Sequence, residues 1–117
     1  MAGRLRRPER LTSGAEFQAL FQQGKRVERP SMIVLWRASN GPRRAGFAVG
    51  RQIRGAVQRN RTRRRLREAY RAARDTAPAH VDIIAIGRPP ALTVALGTLI
   101  EDMRAAFRSI ATPGGVR

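Results

Sequence analysis

Between Arg51 and Arg74 the chain carries ten arginines, at 51, 54, 59, 61, 63, 64, 65, 67, 71 and 74, against one acid, Glu68. A guanidinium is a planar fork of donors that keeps its charge, so this run can grip phosphate and stack on bases. A solvated helix face ordinarily interleaves acids with its bases to form i,i+4 pairs. Glu68 can offset only one or two neighbours. Arginines at this density repel one another unless an anion joins them, and RNA phosphate is the anion that such a run most simply implies.

At about 100° per residue, a helix over Val57 to Arg74 resolves into sides. Thr62, Leu66, Ala69, Tyr70 and Ala73 form the stripe that packs on a sheet. Arg59, Arg63 and Arg67 lie with Asn60 along one flank of it. Arg61 and Arg65 lie toward the other flank, and Arg64 and Arg71 point outward. Such a helix can touch two RNA segments at once.

No chemistry of the chain's own is legible. A nuclease site needs a metal cluster or an acid/base pair, and the eight carboxylates (Glu9, Glu16, Glu28, Glu68, Asp75, Asp82, Glu101, Asp102) are scattered. Glu101 and Asp102 adjoin, but helical neighbours diverge by about 100°. His80, the single histidine, follows Pro78 in a loop and reads as a surface residue. Gly46 to Gly50 carries a strand pattern and is no phosphate loop. No catalytic or metal-binding residue is therefore assigned.

The elements that must position the arginines come from a chain of 117 residues, the length of one domain. Lys and Arg total 24 against 8 Asp and Glu, a formal charge of +16, and Lys25 is the only lysine. Self-repulsion on that scale opposes compaction and implies a polyanionic partner. The absence of cysteine excludes disulfides and thiolate sites and fits a reducing cytoplasm. No apolar run approaches the roughly 20 residues that span a bilayer. Charge alone would allow a membrane-surface role, but the basic helix lacks the broad aromatic or leucine face for it, so no membrane partner is expected. Residues 1–10 read as a flexible basic arm, 11–111 as one domain, and 112–117 as a frayed tail.

Within the domain, Ser13 and Glu16 match a capping box opening a helix over Gly14 to Gln23, with Phe17, Leu20 and Phe21 at helical spacing and Gly24 as its stop. Lys25 to Glu28 reads as a short edge strand ended by Pro30. In Ser31 to Ala38, Met32, Val34 and Trp36 point one way, Ile33 and Leu35 the other. Asn40-Gly41-Pro42 is a turn signal, and Arg44 to Gly50, with Phe47 and Val49 on one face, is expected to form an antiparallel hairpin with the preceding strand. After the long helix, Val81 to Gly87 reads as a strand buried on both faces, ended by Pro89-Pro90. Leu96, Leu99, Ile100, Met103, Phe107 and Ile110 trace one stripe of a last helix. The order is αβββαβα, an α/β (α+β) two-layer sandwich with about three helices.

Arg59-Asn60-Arg61-Thr62-Arg63-Arg64-Arg65-Leu66-Arg67-Glu68 resembles the "RNR" signature of the bacterial ribonuclease P protein subunit. Phe17-x-x-x-Phe21 before Gly24, Arg44-x-Gly46 and Ala56-Val57 stand in the matching order, and the likeness covers roughly Arg10 to Ile110. The resemblance implies a mixed four-stranded sheet whose motif helix joins two parallel strands by a left-handed crossover, against the usual hand. It implies an accessory subunit of an endoribonuclease in which a large catalytic RNA performs magnesium-dependent cleavage of the 5′ leader from precursor tRNA. Mg2+ would be used by that RNA.

Carried over by position, Phe17, Phe21 and Trp36 would line a groove for the single-stranded leader with Arg59, Asn60, Arg63 and Arg67. Stacking suits this because every base has a π face. Arg61, Arg64, Arg65 and Arg71, aided by Arg51 and Arg54, would face the catalytic RNA. Gln52 and Arg54 depart from the family's common pattern, where a second basic residue and a glycine are frequent, so no detailed role is carried over to the Arg51 to Gly55 connector. The alternative is a ribosomal-type or RNA-chaperone protein without an enzyme partner. A DNA-binding role is not expected, because the helix flanks lack a recognition-helix arrangement.

Overall fold

In the computed structural model the described residues are 11 and 14–115, with side chains as far as Ile110. The expected N-terminal arm and Ser13 of the capping box lie outside them, as do residues 116 and 117.

The elements follow in the order α1 (Gly14–Gln23), β1 (Lys25–Glu28), β2 (Met32–Ala38), β3 (Arg44–Val49), α2 (Ala56–Ala73), β4 (Val81–Gly87), α3 (Pro90–Thr93) and α4 (Leu96–Gly115). A 3-10 turn over Arg74–Thr76 closes α2. The expected tail at 112–117 overlaps α4 as far as Gly115. The one helix not foreseen is α3, a single turn that Pro90 opens: proline suits the first helical position because its missing N–H has no intrahelical partner there.

The sheet is mixed, in the order β1-β2-β4-β3. This corrects the expected β2–β3 hairpin: β4 lies between those strands, antiparallel to β2 and parallel to β3. Their relative direction was right and their adjacency wrong. The reason is the composition of β4. Residues 81–85 are all buried, so the strand needs a ladder on each side and a layer on each face, and only a central position provides both. A link of residues 39–43 is long enough to step over one strand at the usual spacing. β1, by contrast, is an exposed, charged edge strand paired only with β2, a composition that discourages edge-to-edge association.

The alternation in β2 divides the core in two. Met32 and Val34 join Ala45, Val81, Ile83 and Ala85 beneath the buried sides of α2 and α4, with Tyr70 and Phe107 at the centre. Tyr70 meets Phe47 and Phe107 edge-on at 5.7 and 6.1 Å between centroids, a favoured arrangement for quadrupolar rings. On the opposite face Leu35 and Ile84 pack with Leu11 and Leu20. The sandwich is thus built by α2, α3 and α4, and α1 adds a partial layer on the second face.

Two glycines allow the helices to approach. A Cβ on Gly87 would stand 2.6 Å from Thr62 Cγ2, and one on Gly46 would stand 2.6 Å from Phe17 Cζ. The first lets α2 settle on β4; the second lets α1 lie against β3. Gly55, at φ 87°, holds the left-handed backbone that precedes α2, a conformation glycine adopts without Cβ strain.

Candidate nucleic-acid interface

The stripe expected on the motif helix is the buried one: Thr62, Leu66, Ala69, Tyr70 and Ala73 are all buried in α2. That fixes the helix rotation, and with it the direction of every arginine.

One flank of α2 meets the β3 edge. Arg67 stands over the Phe47 ring at 5.6 Å, close enough for a cation–π contact. Arg63 Nη1 donates to Asn60 Oδ1 at 2.8 Å. Arg59 differs from both. Its Nη1 donates to the carbonyls of Gly50 and Ile53 at 3.0 and 2.8 Å, and its Nη2 to that of Val49 at 3.0 Å.

The other flank faces α3. Arg65 donates through Nε to the Ala91 carbonyl at 2.9 Å and through Nη2 to that of Val94. Arg65 therefore pins the turn between β4 and α4 and is half-buried in doing so. Arg61 and Arg64 are exposed, and with Val57 and Asn60 they line an open depression of about 470 Å³. Val57 is 80% exposed, an apolar side chain left open at the start of the arginine helix that composition alone did not single out. Arg71 is paired with Glu68 at 2.9 Å. Arg51 and Arg54 project from the connector, exposed.

The aromatic set divides. Phe17 packs on the α1 face of the sheet with Ile33, Ala48 and Ile86, all partly exposed. Phe21 is 51% exposed. Glu16 leans toward Arg44, which it meets at 2.6 Å. Five residues on, Phe21 is about 140° further round the helix and leans the opposite way, toward Ile33, Ile86 and Ala48. Those three occupy one row across β2, β4 and β3. Together they make an open apolar strip beside α1 that ends at β3, the edge strand that Arg59 and Arg67 of α2 also meet.

Trp36 is not in that strip. It lies on the other face of β2, half-buried against the α2–α4 core, with Lys25 Nζ 5.4 Å from its ring centroid. The single groove expected from Phe17, Phe21 and Trp36 is corrected here. Strand alternation puts residues 33 and 35 on the α1 face and residue 36 on the opposite one. The period-two pattern already contained this parity; what it lacked was the layer on which α1 lands.

Six of the described carboxylates pair with arginines: Asp82 with Arg44 and Arg37, Asp102 with Arg29, Glu16 with Arg44, Glu28 with Arg26, Glu68 with Arg71 and Glu101 with Arg104. No three His, Cys, Asp or Glu side chains among the described residues come together in a way that could hold a metal ion. Among the described residues, too, no helix is long and apolar enough to cross a membrane.

A family model described as Ribonuclease P matches residues 5–111 of this chain. The ribonuclease P protein component of Gluconacetobacter diazotrophicus is 37% identical over 111 residues, covering 92% of this chain and 96% of the relative. That of Desulfovibrio desulfuricans is 40% identical over 95 residues, covering 79% and 73%. Among solved structures, the RNase P protein from Thermotoga maritima superposes with a TM-score of 0.77 at 28% identity, covering 87% of this chain and 97% of that one. The Staphylococcus aureus RNase P protein gives a TM-score of 0.71 at 25% identity, covering 89% and 95%.

Proposed function

This chain belongs to the ribonuclease P protein family, and on that premise we propose that it binds two RNAs at once, a catalytic RNA and the 5′ leader of precursor tRNA. The endoribonuclease to which such a component belongs removes that leader. In this reading the protein performs no bond cleavage. Mg2+ serves the RNA subunit, the assembly works in the cytoplasm, and the protein contributes binding and orientation.

One observation carries the reading. Ile33, Ile86 and Ala48 form an open apolar strip beside Phe17 on the α1 face. Phe21 stands exposed on the same helix, and the strip ends at β3, the edge strand that Arg59 and Arg67 of α2 also meet. A single strand needs this combination: π faces and apolar side chains for unstacked bases, and guanidinium groups for the backbone. Each stacked base is worth about 1–3 kcal/mol without demanding a sequence, which suits a subunit that must serve many leaders. Arg63, Asn60 and Arg67 then take the leader phosphates. Arg61 and Arg64, with Arg51 and Arg54, take the catalytic RNA from the exposed side of α2. Arg71 lies between these surfaces, already joined to Glu68.

The test is binding and cleavage of precursor tRNA by the catalytic RNA at low magnesium, with and without the protein, beside binding of the same tRNA lacking its leader. The protein is expected to tighten binding of the leader-bearing substrate and to leave the leaderless one almost unchanged. Equal affinities with and without protein would reject the reading.

A further inference from the structure

We infer that Arg59, the first arginine of the RNR run, is a positioning residue that shapes the Gly50–Gly55 connector so that Arg51 and Arg54 are presented to RNA. The inference rests on the RNA-binding reading above but assigns Arg59 a role that reading does not contain.

The geometry is unusual for a phosphate-gripping arginine. Three main-chain carbonyls, from Val49, Gly50 and Ile53, converge on its two terminal nitrogens at 2.8–3.0 Å. Those carbonyls belong to the last residue of β3 and to two positions in the connector, so one guanidinium closes the loop onto the helix that follows it. A planar fork with donors on several edges can serve three acceptors together; an ammonium carries three donors on a point charge and cannot match that spread.

The rest of the connector is fastened at its ends. Gly50 N donates to the Gly87 carbonyl at 2.9 Å, Ile53 N donates to the Gly50 carbonyl at 3.2 Å, and the Ile53 side chain is only 4% exposed. Arg59 adds the bonds that join the start of this loop to its middle. Between and beside these anchors, Arg51 and Arg54 are exposed and have no carboxylate partner among the described residues. A loop bearing two like charges repels itself. Holding it in one conformation before RNA arrives removes an ordering cost from binding.

The test compares binding of the catalytic RNA by the full chain carrying wild-type Arg59, R59K, R59A, R51A/R54A, and R59K combined with R51A/R54A. Positioning predicts that R59K, which keeps the charge, loses affinity as fully as R59A, by about tenfold if most of the benefit of two charge contacts is lost. It also predicts that R59K costs little more once Arg51 and Arg54 are gone, because coupled residues are not additive. If R59K binds like wild type while R59A falls and the salt slope drops by about one, Arg59 touches phosphate directly and the inference is overturned.

A measurement on the unaltered protein covers the case in which the Arg59 variants do not fold. Arginine-selective modification by a dicarbonyl reagent, read peptide by peptide, should spare Arg59 with or without RNA. Arg51 and Arg54 should react in the free protein and be protected by RNA. An Arg59 that reacts freely and is shielded only by RNA would overturn the inference. Failure of the wild-type protein to bind the RNA at all would instead strike the functional reading beneath it.

Discussion

Arg44 and Asp82 are joined fork to fork across β3 and β4: Nε and Nη2 of the arginine each lie 3.1 Å from a different oxygen of the carboxylate. Nη1 of the same guanidinium donates to Glu16 at 2.6 Å. Arg37 of β2 approaches Asp82 from the other side at 3.6 Å. Through Arg44, which holds Glu16 as well as Asp82, this cluster ties α1 to three strands and so helps set where Phe17 and Phe21 stand over the sheet. Asp82→Ala should destabilise the protein by about 1–3 kcal/mol, because Arg44 loses its two-point partner and keeps only Glu16. Urea unfolding measures it, and a loss under about 1 kcal/mol would show the cluster to be incidental.

Asp102 makes stability depend on acid. Burial alone would raise its carboxyl, but the Ser31 hydroxyl and amide, then Arg29, stabilise the anion and hold it below the ordinary 3.8. Ser31 Oγ and N donate at 2.5 and 3.0 Å, and Arg29 Nε at 2.9 Å. A depressed folded value means that the stabilisation is present above pH 3.8 and is lost as pH falls through the folded pKa. Unfolding curves from pH 7 downward should show wild type exceeding Asp102→Asn at neutral pH, with the gap closing below about pH 3.8. A gap independent of pH would remove the carboxylate from the explanation.

Gly46→Ala should disturb the leader strip from beneath. The added methyl would meet Phe17 Cζ at 2.6 Å and the Leu11 carbonyl at 2.9 Å, and backbone cannot rotate away as a side chain can. Overpacking of this kind costs about 1–3 kcal/mol. Thermal melts should fall, and the protein's preference for leader-bearing over leaderless tRNA should narrow.

Opposite faces of the sheet should give opposite phenotypes. Phe21→Ala is expected to weaken binding of leader-bearing tRNA by about 1–3 kcal/mol while leaving the melting temperature almost unchanged, since the ring is half exposed. Trp36→Ala should lower stability through lost packing and leave the leader preference intact. Leader loss on Trp36→Ala, without loss on Phe21→Ala, would place the leader on the wrong face for the proposed strip.

Salt should weaken the assembly steeply. With six to ten phosphate contacts, affinity for the catalytic RNA is expected to fall by about 10³–10⁵ between roughly 50 and 200 mM salt. A titration that is flat over that range would mean that the exposed arginines do not meet phosphate.

Much of this protein was legible in its residues because the signals are local. The α1 and β1 boundaries, the two faces of β2, the double burial of β4 and the buried stripe of α2 follow from periods of 3.6 and 2 residues, which a chain fixes for itself. The RNR run likewise identified the family. Strand neighbours are a non-local choice, and β4 displaced β3 from β2 because it had two faces to bury, a demand visible only when all four strands compete.

The arginine helix shows the same division. Sequence determined its charge, its apolar stripe and the flank on which each guanidinium lies. Tertiary structure decided what each guanidinium meets there: Arg59 three carbonyls, Arg65 the α3 turn, Arg67 the Phe47 ring, and Arg61 and Arg64 solvent. Identical side chains diverge in this way because a guanidinium can donate to backbone carbonyls as well as to phosphate. Only the surrounding fold determines which of them is within reach.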